Sequence, residues 1–144
     1  MKTIITVLLV CISCLAVAQK SKKTVQVNIE IEHVKSDQGY WMLAIYDEDS
    51  EFLSMKPCNA KRQKVGEYNN IVSIDLPKGK YAIAVFQDLN DSKNLERNEQ
   101  GIPTEPYSFS GENVFPLRGM PTFEQCKVKV SKKSKDFKIP LQSH

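Results

Sequence analysis

The residues best placed to do chemistry lie in one stretch, Asp88 to Ser110. From Asp88 to Glu99, oxygen-bearing side chains fall at positions one, three, five, nine and twelve: Asp88, Asn90, Ser92, Glu96 and Glu99. That is the ligand spacing of a calcium loop, with Leu95 at the usual apolar eighth position. Hard oxygen donors crowded on a turn suit a hard cation. One position breaks the pattern. Lys93 stands sixth, where glycine makes the sharp turn, and it adds a positive charge. Two expectations follow: a calcium site at these five residues, or a solvated Asn/Asp-rich turn between strands.

The adjoining run, Gly101 to Ser110, presents Glu105, Tyr107 and Phe109 from a chain stiffened by Pro103 and Pro106. Stiff loops that carry aromatic rings lose little entropy on binding, so these three residues form a candidate ligand or partner surface. The competing reading makes Tyr107 and Phe109 a cap on the hydrophobic core. Loop carboxylates such as Asp88 and Glu105 could in principle serve as an acid/base pair on a sugar, but carboxylates are common in loops. No catalytic residue is assigned. His33 ends a strand pattern and His144 ends the chain, and neither has a nucleophile set beside it. Nucleophile elbows and zinc-ligand spacings are also missing.

Export explains the cysteine usage. Residues 1–18 carry Lys2, an apolar run from Ile4 to Val17 and small residues at Ala16-Val17-Ala18, the make-up of a secretory signal peptide cut after Ala18. A minor alternative is a lipoprotein anchored at Cys14. The apolar run is too short for a comfortable membrane span, and nothing after it is apolar enough to cross a bilayer. Cys11 and Cys14 leave with the leader. Cys58 and Cys126 then remain, either as a disulfide, which an exporting compartment permits, or as two thiols. The formal net charge is +3, and it is unevenly spread. Asp47 to Glu51 is acidic, whereas Lys127 to Lys138 holds six lysines against Asp136. Lysines at alternating strand positions suit a wet face or a guarded edge. The basic run lacks interleaved aromatics, so nucleic acid is not an expected partner.

Strands must position these residues. Val25, Val27, Ile29 and Ile31 alternate with polar residues, which predicts a strand with one buried face. Tyr40 to Asp47 is apolar on both faces and reads as a central strand. Residues 50–56 are expected to form at most one short helix. Lys61–Val65 and Ile71–Leu76 read as a strand pair joined by a polar turn. Pro77-Lys78-Gly79 forces a turn into a strong strand, Tyr81–Gln87, with Tyr81 placed to bond upstream backbone at a sheet corner. Two lysine-flanked strands close the chain. The expected fold is all-β, a β-sandwich of about seven to eight strands. Residues 19–24 would be a flexible basic N-terminus and residues 25–142 a single domain, a size sufficient for one core.

Particular residues then point to a family. Leu76-Pro77-x-Gly79-x-Tyr81-Ala82-x-Ala84-Val85-Phe86-x-Asp88-x-Asn90, Gly101-Ile102-Pro103-x-Glu105-x-Tyr107-x-Phe109-Ser110 and Pro121-x-Phe123-Glu124 resemble the domain of unknown function 2141 family of exported bacterial proteins. The resemblance runs from about Gly39 to Leu141. It implies a small periplasmic or secreted sandwich, similar to immunoglobulin-like and transthyretin-like modules, and brings no activity. Gln87 stands where the family usually has histidine, so no role rests on that imidazole here. The expectation is an exported, non-catalytic binding or accessory module of the cell envelope, with an envelope protein or glycan as partner and no obligatory cofactor. The alternatives are a weak carbohydrate-active enzyme using loop carboxylates, or a calcium-stabilised carbohydrate- or protein-binding domain.

Overall fold

The structure, a computed structural model, describes residues 22–112, 114 and 119–142. The predicted leader, Cys14 and His144 lie outside the described residues. Among the described residues eight strands form two sheets: β1 (Thr24–Glu32), β2 (Tyr40–Asp47), β3 (Asn59–Lys64), β4 (Ile71–Pro77), β5 (Gly79–Asp88), β6 (Tyr107–Phe109), β7 (Lys127–Val130) and β8 (Asp136–Pro140). A four-residue helix, α1 (Phe123–Cys126), and a 3-10 turn, Glu67–Asn70, complete the regular structure of the described residues. No helix among the described residues is long and apolar enough to cross a membrane.

One sheet has the order β4-β1-β8; the other runs β3-β2-β5-β6, with β7 also pairing β5. The alternation read in β1 holds. Val27, Ile29 and Ile31 face inward with Val72, Ile74 and Leu76 of β4 and Ile139 of β8. Trp41, Leu43 and Ile45 of β2 and Tyr81, Ile83 and Val85 of β5 meet them from the opposite sheet. The predicted β-sandwich is therefore the fold. Its outer face carries a second cluster, in which Ala82, Tyr107, Phe109 and Cys126 are buried with Phe52 and Phe123 packed against them. Covered on both faces, β2 and β5 are the central strands, as their doubly apolar sequences require.

One local expectation changes, and two that were left open are decided. No helix forms at 50–56. Leu53 takes a left-handed φ of 63°, which stops a helix, and Phe52 turns into the outer cluster against Tyr46, Phe109 and Phe123. β3 and β4 do not pair with each other either; β3 pairs β2 and β4 pairs β1, in different sheets. The turn between them is a crossover, with Tyr68, Asn69 and Asn70 all left-handed. Asn70 Oδ1 pins it by accepting from the Trp41 indole N–H at 3.1 Å and the Gly66 amide at 2.9 Å. Finally, of the two alternatives for Cys58 and Cys126 the structure has free thiols, Cys58 exposed and Cys126 buried under the outer cluster.

The corner at Tyr81 forms as read. Its hydroxyl donates to the Pro77 carbonyl at 3.0 Å.

Candidate functional site

Asp88 ends β5 and is fully buried, and Glu105 is 5 % exposed. Two buried carboxylates need partners, because an ion stripped of water is costly. Backbone amides supply them. Asp88 Oδ1 accepts from Ser92 N at 3.0 Å and Oδ2 from Lys93 N at 2.9 Å. Glu105 Oε1 accepts from Leu89 N at 2.9 Å and Oε2 from Glu96 N at 3.3 Å. Four loop amides are thus held by two side chains that flank the loop in sequence. Charge-assisted bonds of this kind are stronger than neutral ones.

Between these anchors the chain makes two turns. The first is the Asx-type turn at Asp88–Ser92, where Asn90 Oδ1 also accepts from Ser92 N at 3.1 Å. The second is a small hairpin: Arg97 bridges Pro103, Thr104 N donates to Glu96 O at 2.9 Å and Asn98 N to Ile102 O at 2.9 Å. The sequence-derived cation ligands are divided between them. Asp88, Asn90 and Ser92 share the first turn, Glu96 reaches it by accepting from Asn90 Nδ2 at 3.0 Å, and Glu99 sits at the hairpin tip. Among the described residues no group of three or more His, Cys, Asp or Glu converges as a metal-ion site. Lys93, at the sixth position, does adopt the left-handed φ of 65° for which cation loops use glycine.

Glu105, Tyr107 and Phe109 do not form a surface. Tyr107 and Phe109 are each 6 % exposed, their rings edge-to-face at 5.9 Å, within the outer cluster. The reason is β6. Tyr107–Phe109 pairs Ala84–Phe86 of β5, and Tyr107 also bridges Gln142 beyond β8. The aromatics are the core cap, and burial pushes the Tyr107 phenol up. What remains open to solvent between the anchors is the outer side of the 89–104 loop, including Leu89, Asp91, Arg97, Glu99 and Ile102. Asp91 accepts from Arg62 Nη2 at 2.6 Å, and the Arg62 guanidinium stacks on the Tyr40 ring at 3.3 Å from the centroid. The loop is thereby tied to β3 and β2.

Three supporting residues carried no signal in their own neighbourhood. Gln87 is buried and its Nε2 donates to Ser36 O at 2.9 Å and Gln38 O at 2.8 Å, fixing the β1–β2 connection. Gly39, at φ 78°, passes so close to the Asp88 carbonyl that a Cβ would lie 2.0 Å from it. Ser110 joins β6 to the β7 side: its Oγ accepts from Ile83 N at 2.8 Å and donates to Cys126 O at 2.6 Å.

The match to known proteins covers this whole arrangement. The family model described as an uncharacterized protein conserved in bacteria (DUF2141) matches residues 29–138. The chain belongs to this family. The matched span contains both anchors, the loop and β2 to β7, and it ends within β8. No curated protein and no solved structure matches the chain.

Proposed function

We propose that this DUF2141 protein is an exported, non-catalytic binding or accessory module of the cell envelope, and that its working surface is the outer side of the 89–104 loop. The observation that carries the reading is the anchoring of four loop amides by the buried carboxylates of Asp88 and Glu105. A loop ordered before binding loses less entropy when a partner arrives. Both carboxylates have their oxygens directed at backbone N–H groups rather than into a cleft, which favours scaffolding over acid/base work at a sugar. Export rests on the leader at residues 1–18.

Glycan-array screening paired with a turnover assay tests it. The expected result is binding without hydrolysis, lost in an Arg97→Ala/Ile102→Ala variant that still melts cooperatively. Reproducible hydrolysis lost on Asp88→Ala or Glu105→Ala would establish the enzyme instead. One observation favours a second reading, calcium stabilisation: the Asp88–Lys93 turn has the left-handed sixth residue that cation loops use. Calorimetric titration of chelator-treated protein decides this. Heat and a raised melting midpoint at millimolar calcium support it, and neither effect refutes it.

A further inference from the structure

Strand register gathers lysines from three separated segments at one end of the sandwich. Thr24, at the start of β1, pairs Pro77 at the end of β4, so Lys22 and Lys23 lie beside the Lys78 turn. Gly79 of β5 pairs Val130, and Lys80 pairs Lys129, which brings the end of β7 to the same place. β8 runs parallel to β1 with Asn28 opposite Asp136, so the preceding β7–β8 turn, with Lys132, Lys133 and Lys135, lies level with the first half of β1. Lys22, Lys78 and Lys80 line one shallow depression with Asp47, Glu48 and Asp49.

Asp47, Glu48 and Asp49 offset the lysines of that depression, whereas Lys129 of β7 and the lysines of the β7–β8 turn stay unpaired among the described residues. Glu48 takes Lys80, Glu124 takes Lys127, and Asp136 accepts from the Asn28 side chain. Lys138 is drawn away to Glu30 and Glu32. Lys129, Lys132, Lys133 and Lys135 are exposed and have no ion-pair partner among the described residues. Lys129 lies opposite Lys80 across the strand pair, and Glu48 is paired with Lys80 alone.

We infer that this lysine end is a peripheral docking surface for an anionic phospholipid bilayer. Lys132, Lys133 and Lys135 are exposed on the β7–β8 turn, next to Lys129 of β7, and the turn sequence Ser131–Lys135 carries neither arginine nor an aromatic ring. Compact ammonium groups on long stems suit a diffuse layer of phosphate headgroups; a polymer read by stacking or forked hydrogen bonds would select other residues. The surface is separate from the 89–104 loop, so its failure and that of the loop reading are independent.

Cosedimentation of the mature protein with vesicles tests the inference. One set contains phosphatidylglycerol in phosphatidylcholine and the other phosphatidylcholine alone. Binding only to the anionic set is expected, strong at low salt and lost at high salt as screening shortens to a few ångströms. A Lys129→Gln/Lys132→Gln/Lys133→Gln/Lys135→Gln variant should bind on the order of a hundredfold more weakly or worse, with its melting midpoint unchanged. Lys61→Gln/Lys64→Gln, on the exposed edge strand β3, is the control and should bind as the parent does. Equal binding to neutral vesicles, equal loss in the control, or binding to a soluble polyanion such as heparin with none to vesicles would each overturn it.

Discussion

At the scale of single residues, Asp88 and Glu105 are the side chains on which the loop depends. Replacing Asp88 by Asn keeps the shape but removes the charge and turns one acceptor oxygen into a donor facing an amide. The expected loss is about 2–3 kcal/mol in urea unfolding, and Glu105→Gln should behave alike. Tyr81→Phe deletes only the corner bond to Pro77 O and should cost about 1 kcal/mol in the same measurement. The thiols give a pH signature. Burial pushes Cys126 up to about 11. Folding therefore favours its protonated form. That contribution is complete below the ordinary thiol range and fades as pH rises toward 11, so the melting midpoint should fall at alkaline pH and fall less in Cys126→Ser. Alkylation of native protein should mark Cys58 alone. Legibility at this scale follows sequence distance. Tyr81 was readable because its partner lies four residues back in the same turn. The partners of Gln87 and Ser110, at Ser36, Gln38 and Cys126, belong to remote segments, so nothing local announced them.

Elements show how pairing overrides local pattern. The polar stretch at 66–70 has the composition of a hairpin turn, yet its left-handed residues carry the chain from one sheet to the other. Core burial decides this: Val72, Ile74 and Leu76 find their partners on β1, whereas β3 carries Lys61, Arg62 and Lys64 along an exposed edge. Tyr107 and Phe109 looked like presented aromatics for a related reason. A three-residue strand is too short to announce itself, and Phe52 and Phe123, which pack against its cluster, lie far away in sequence. Phe52→Ala should therefore destabilise the whole protein by about 2–4 kcal/mol, removing one ring from three edge-to-face contacts. Arg62→Ala is the contrasting case. Its ion pair with Asp91 is solvent-exposed, so global stability should change by less than about 1 kcal/mol. Limited proteolysis between residues 89 and 96 should nevertheless become faster, because the tie from β3 to the loop is gone.

For the whole molecule, the sandwich class and the strands other than β6 were legible because period-two burial needs no knowledge of partners. Sheet membership was not, because it is a property of pairs. The assembled molecule places an anchored polar loop outside one sheet and a lysine-rich end at the start of β1, with no cross-link between Cys58 and Cys126. Thermal unfolding should accordingly be the same with and without reductant. The central claim is that Asp88 and Glu105 hold the 89–104 loop in one conformation before any partner binds. Native-state hydrogen exchange at the amides of Leu89, Ser92, Lys93 and Glu96 tests it most directly. Protection well above that of free loop amides is predicted in the parent, falling selectively at Ser92 and Lys93 in Asp88→Asn and at Leu89 and Glu96 in Glu105→Gln. Unprotected exchange at all four in the parent, or protection unchanged by both substitutions, would contradict it.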